Sequence, residues 1–91
     1  MERTEREVYV HYFAQLKDAS GKDGEHLPVA AVGEATAGAS AADWYRHLAQ
    51  RYRFTMPQEV VRPALNGRYA RWTDPVRGGD ELAFIPPVAG G

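Results

Sequence analysis

The sequence predicts one α+β domain, a small mixed β-sheet crossed by one main helix. Three observations carry that prediction. The chain has 91 residues, enough for a single hydrophobic core and no second domain. Segments rich in β-branched and aromatic residues stand at both ends of it. Between them lies one stretch with the apolar spacing of a helix, followed by an Asn-Gly turn signal.

Met1 to Glu7 is a charged extension. Val8 to Leu16 reads as the first strand, with Val8, Val10, Tyr12, Ala14 and Leu16 on one face and Tyr9, His11, Phe13 and Gln15 on the other. Lys17 to Gly24 breaks the alternation with turn-forming residues. Glu25 to Val32 reads as a second, weaker strand, and Pro28 makes it either an edge strand or an irregular one because proline cannot donate to a ladder. Gly33 to Ala39 is a loop of small residues. Ser40 caps a helix, with Asp43 completing a capping box. Within that helix Ala41, Trp44, Tyr45, Leu48 and Tyr52 form one apolar stripe. Pro57 and Pro63 prevent its continuation. Asn66-Gly67 marks a two-residue hairpin, and Gly78-Gly79-Asp80 turns the chain into a last strand, Glu81 to Ile85. In that strand Leu82 and Phe84 share one face, Ala83 and Ile85 the other. Strand, strand, helix, hairpin, strand is most economically arranged as a β-grasp.

Composition narrows the function. Eleven Lys and Arg against twelve Asp and Glu leave a net charge of −1, which argues against nucleic-acid binding by bulk charge. No apolar run has the length of a membrane span, and the N-terminus lacks the pattern of a secretory signal, so the chain reads as cytoplasmic and not membrane-bound. It has no cysteine, hence no disulfide, thiolate nucleophile, Cys-based zinc site or iron–sulfur cluster. His11, His26 and His47 lack metal-ligand spacing and read as surface histidines. Arg68, Arg71 and Arg77, with Arg62 nearby, form a modest basic face for an acidic partner surface or a phosphate, or simply a solvated face. Trp44 reads as core, and Trp72 as a cover for the end of the sheet.

The C-terminus carries the most specific signal. Pro86-Pro87 ends the last strand and stiffens the start of the tail. Val88-Ala89-Gly90-Gly91 then tapers to two residues without a Cβ, which can thread a channel closed to any other side chain. Six residues from Pro86 to Gly91 reach up to ~20 Å. The free α-carboxylate at the flexible tip is a candidate reacting group.

Phe13-Ala14-Gln15-Leu16-Lys17-Asp18-Ala19-Ser20-Gly21 and Gly79-Asp80-Glu81-Leu82-Ala83-Phe84-Ile85-Pro86-Pro87-Val88-Ala89-Gly90-Gly91 resemble the small subunit of molybdopterin synthase, the MoaD family. The resemblance runs from Val8 to Gly91 and is weaker through the helix. It implies a ubiquitin-like β-grasp domain over residues 8–85 and a functional tail over 86–91. It also implies a sulfur carrier that is not an enzyme by itself. An E1-like adenylyltransferase using ATP and magnesium would adenylate Gly91, and a sulfur donor of desulfurase or rhodanese type would convert the adenylate to a thiocarboxylate. The tail, Pro86, Pro87, Val88, Ala89 and Gly90, would thread Gly91 into the large synthase subunit, where its sulfur passes to a pterin precursor of the molybdenum cofactor. No cofactor or metal is expected on the chain itself. Family members dock through an apolar sheet patch, here matched by Phe13, Tyr69 and Ile85; Phe13 and Ile85 also fall on the outward parity of their strands. The loop from Gly33 to Ala39, the charged extension, and Trp44 and Tyr45 depart from the family pattern. Rival readings are a carrier for thiazole, tRNA-thiolation or cysteine synthesis, a modifier conjugated to proteins through Gly91, and a plain binding module.

Overall fold

The computed structural model describes residues 6–32 and 38–87. Five strands, β1 (Glu7–Tyr12), β2 (Gly24–Pro28), β3 (Arg62–Leu65), β4 (Arg68–Tyr69) and β5 (Glu81–Ile85), form one sheet in the order β2-β1-β5-β3-β4. β1 and β5 run parallel, and every other pairing is antiparallel. The helices are α1 (Ala14–Ser20) and α2 (Ala41–Tyr52). A mixed sheet with its first and last strands side by side at the centre and a helix packed on one face is the ubiquitin-like β-grasp.

The core forms because alternate residues of the central strands turn to the same face as the stripe on α2. Val8, Val10, Leu82 and Phe84 are fully buried, as are Trp44 and Leu48 on the helix. Tyr45 sits among three rings, with Phe84 at 5.1 Å, Trp72 at 5.5 Å and Phe54 at 5.7 Å between centroids. Its hydroxyl donates to the Met56 carbonyl at 2.7 Å, so the one polar atom of this buried ring is paired. Trp72 stacks on Phe84 at 6.0 Å and is half-buried.

Helix α2 has the bounds and the capping box expected of it. The Asp43 amide donates to Ser40 Oγ at 3.2 Å, and the Ser40 amide donates to Asp43 Oδ2 at 3.0 Å. The Ala41 and Ala42 amides donate to the carbonyls of Asp74 and Trp72. The first-turn donors are therefore consumed within the fold.

Two elements differ from the sequence reading. The first strand stops at Tyr12, and Ala14–Ser20 is helical, closed by Gly21 in the left-handed region at φ +80. Leu16 reaches the core from this helix, while Ala14, expected on the same face, is exposed. Gln15, Leu16, Lys17 and Ala19 are good helix formers, and a two-turn helix places Leu16 inward as well as a strand would. The second strand ends at Pro28, where Val29–Ala31 turns into a 3-10 helix. It does lie at the sheet edge. β1 begins at Glu7, which pairs with Pro28, so that residue belongs to the sheet and not to the extension. Most of the loop expected from Gly33 to Ala39 lies outside the described residues.

A polar cluster ties three elements together beside the core. Glu25 on β2 accepts hydrogen bonds from Tyr12 on β1 (2.7 Å), Tyr52 at the end of α2, and Lys22 (3.1 Å). Burial alone would push the Glu25 carboxyl up, but the donors Tyr52, Tyr12 and Lys22 outweigh it and hold the group below its usual range. Burial first, then the Glu25 carboxylate, pushes the Tyr12 hydroxyl up, so it remains a donor. A carboxyl whose folded pKa is depressed stabilises the fold above its unfolded pKa and loses that contribution as pH falls through the folded value. Wild-type stability in denaturant titrations should therefore decline below about pH 4.5. Glu25→Gln should cost about 1–3 kcal/mol at neutral pH and make the acid decline shallower. An unchanged acid decline in that variant would show that Glu25 is not its source.

Candidate functional site

The outer face of the sheet, away from α2, is shaped by its register. His11 pairs with Ala83, Ala83 with Ala64, and Ala64 with Tyr69, so four residues form one row across β1, β5, β3 and β4. Two alanines lie in the middle of that row and a ring stands at each end. The result is a groove of about 410 Å³ with Ala64, Ala83 and Gly67 low in it and Phe13, Tyr69, Ile85, His11 and Glu81 around it. Phe13 is 47% exposed and Tyr69 63%; Ile85 is half-buried.

Local structure sets each wall. Phe13 is extended, and Ala14 follows at φ +50, a conformation that costs a non-glycine residue about 1 kcal/mol. That bend starts α1 and leaves Phe13 standing out at the end of β1. The hairpin holding Tyr69 turns through Asn66 at φ +53 and Gly67 at φ +87, both in the left-handed region as a two-residue hairpin turn requires. Asn66 also bonds to the start of β5: its Oδ1 accepts from the Glu81 amide at 2.9 Å, its Nδ2 donates to Asp80 Oδ1 at 3.1 Å, and its amide donates to the Glu81 carbonyl at 2.8 Å. The turn is thereby fixed against the strand that supplies Ala83 and Ile85.

Charge is unevenly placed about the groove, with Glu81 in its lining and Arg62 outside the lining, behind Tyr69. At the β1 side, His11 Nε2 lies 3.3 Å from Glu81 Oε1. At the β3 side, the Arg62 guanidinium carbon lies 4.0 Å from the centre of the Tyr69 ring. The sequence marks His11 only as a surface histidine; its place in the groove depends on β1 lying beside β5. Of the other histidines, His26 Nδ1 is 3.8 Å from Glu7 Oε1. Among the described residues no three His, Asp or Glu side chains cluster as metal ligands. Arg71 and Arg77 use their amides in turns closed by the Asp74 and Asp80 carboxylates.

A second depression adjoins the first and shares Phe13 and Ile85 with it. It runs between Ala14, Gln15 and Asp18 of α1 and the Pro86-Pro87 pair that follows β5. Pro86 is buried and Pro87 exposed, so Pro86 packs with the domain and the exposed exit begins at Pro87. The structure thus brings Phe13, Tyr69, Ile85, Pro86 and Pro87 onto one continuous surface. Val88, Ala89, Gly90 and Gly91 lie outside the described residues.

The exposure of Phe13 generates a stability prediction. Phe13→Asp should shift the thermal midpoint by no more than the few degrees that about 0.5 kcal/mol produces in a domain of this size. Cooperative unfolding lost altogether in that variant would mean that Phe13 is part of the core.

Among known proteins, a family model described as the ThiS family matches residues 10–91. The structure is similar to molybdopterin converting factor subunit 1 from Pyrococcus furiosus, with 28% identity, a TM-score of 0.69, and 91% of this chain and 99% of that chain covered. It is also similar to the small archaeal modifier protein 1 of Haloferax volcanii, at 21% identity and a TM-score of 0.70, covering 93% of this chain and 99% of that one. A third similar structure is a complex of subunits 1 and 2 of molybdopterin-converting factor from Helicobacter pylori. There the identity is 21%, the TM-score 0.59, and the cover 93% of this chain and 99% of that chain. No curated protein matches. No helix among the described residues is long and apolar enough to cross a membrane.

Proposed function

The chain belongs to the ThiS family, as a ubiquitin-fold sulfur carrier or modifier of the ThiS and MoaD type, and we propose that it is the sulfur-donating small subunit of a molybdopterin synthase. Small subunits of this type are non-catalytic carriers. The reading is supported by the 28% identity to a molybdopterin converting factor subunit 1 and by one feature of the surface. The outward groove of Phe13, Tyr69 and Ile85 continues into the Pro86-Pro87 exit, so a partner seated on the groove stands beside the root of the tail.

The chemistry starts from the weakness of a carboxylate as an acyl donor. The E1-like adenylyltransferase, with ATP and magnesium, joins the Gly91 carboxylate to AMP and releases pyrophosphate. The outer sulfur of a persulfide on a donor of the desulfurase or rhodanese type then attacks the acyl-adenylate and displaces AMP, and a thiol reduces the resulting acyl disulfide, freeing the thiocarboxylate. Inserted in the large subunit, the thiocarboxylate gives its sulfur to the pterin precursor of the molybdenum cofactor. The partners do this work by positioning and charge stabilisation, and the chain contributes the docking face, the spacer and the reacting terminus. Pro86, Pro87, Val88, Ala89 and Gly90 are the threading segment. The location this implies is the cytoplasm.

A second reading, a protein modifier joined to lysines through Gly91, is favoured by the likeness to a small archaeal modifier protein. The two differ in product. Incubation with the E1-like enzyme, ATP and a sulfur source should raise the intact mass by the difference between sulfur and oxygen, and deletion of Gly91 should abolish the gain. Addition of large subunit and pterin precursor should return the mass to its starting value. Covalent high-mass adducts in cells, with no transfer to the precursor, would overturn the carrier reading in favour of the modifier.

A further inference from the structure

We infer that the partner seated on the groove presents an apolar side chain flanked by a carboxylate, and that Arg62 is the residue that receives this carboxylate. The inference rests on the carrier reading, because it concerns the face that the activating enzyme must grip.

The shape half of the inference comes from the row His11, Ala83, Ala64, Tyr69. Side chains stop at Cβ in its middle and extend as rings at its ends. A flat partner surface would leave that depression unfilled, with its lining deprived of contacts. A projecting apolar side chain fills it, and a filled central pocket is where interface energy concentrates.

The charge half comes from the two ends of the row. At one end Glu81 already has the His11 ring beside it. At the other, Arg62 has no carboxylate within 4.0 Å among the described residues, whose ion pairs use Lys17, Lys22 and Arg46 as cations. Its guanidinium instead lies over the Tyr69 ring. Stacking of this kind restrains the group while its N–H edges remain available as donors, the arrangement in which arginine binds a carboxylate bidentately. Arg62 stands opposite Ile85 in the sheet, so a carboxylate held there lies next to the strand that ends in the tail. The apolar floor points to a protein side chain as the occupant.

The test measures affinity for the E1-like activating enzyme from the same organism, by isothermal titration at low and high salt. Wild type, Arg62→Glu, Arg62→Lys and Ala83→Leu are compared, each with a thermal melt. Arg62→Glu should weaken binding at least about tenfold and flatten its salt dependence, because a rim charge acts through screened attraction. Arg62→Lys should fall between, keeping charge but losing the planar fork. Ala83→Leu should weaken binding at both salt concentrations by filling the depression. Equal affinity and salt dependence for wild type and Arg62→Glu would overturn the charge assignment, and full affinity in Ala83→Leu would overturn the shape. No binding by wild type to an enzyme that adenylates another carrier would overturn the carrier reading, and this inference with it.

Discussion

The structure depends on the parallel pairing of its first and last strands. Val10 pairs with Leu82 and Tyr12 with Phe84, and all four are buried against α2. A parallel pair cannot be made by a tight turn; it requires a crossover, which here includes the whole of α2. The crossover helix covers one face and leaves the other outward. β5 is also hydrogen-bonded on both sides, to β1 and to β3. The last strand before the tail is thus an interior strand, the kind least able to fray. Whatever seizes the tail pulls against a strand held by both neighbours and by Phe84 in the core.

The same placement explains how the outer face acquired its groove. Once β5 lies between β1 and β3, residues far apart in sequence meet in one row. Ala83 and Ala64 are ordinary residues in the sequence, and they matter because they stand opposite each other between two rings. Local signals were legible for a corresponding reason. Ser40 with Asp43, Asn66 with Gly67, and the alternation of Glu81 to Ile85 each act within a few residues, so the sequence contains the whole cause. The outward parity of Phe13 and Ile85 was legible as well. Their proximity to Tyr69 entered through the family resemblance, because strand order is set by long-range packing.

The misreadings have the same origin. Val8 to Leu16 alternates well enough to pass as one strand, because position 16 faces inward on either backbone. What separates the two is the bend at Ala14 and the left-handed cap at Gly21, and only Gly21 leaves a trace in the sequence. Val29 to Ala31 is apolar enough for a strand, yet it comes after Pro28 at a sheet edge where no further partner strand exists among the described residues. One aromatic residue on α2, Tyr45, has a local cause too. Tyr45 fills space among Phe54, Trp72 and Phe84 and satisfies its hydroxyl on Met56, so a larger ring is accommodated without an unpaired polar atom.

A carrier on the proposed reading must be held by one enzyme, released, and held by another. Its docking face therefore works best at intermediate strength, with specificity separated from affinity. A shallow groove floored by two alanines supplies limited apolar burial, about 0.8 kcal/mol for each methylene a partner inserts. A rim arginine adds discrimination and speeds encounter more than it lengthens residence. The tail then contributes what the groove does not. Anchoring the domain converts insertion of a short tethered peptide into an intramolecular step, and a stiff Pro-Pro exit confines the directions in which that peptide starts. On that reading, division of labour between groove and tail falls at Ile85 and Pro86, where the groove ends and the exposed exit begins.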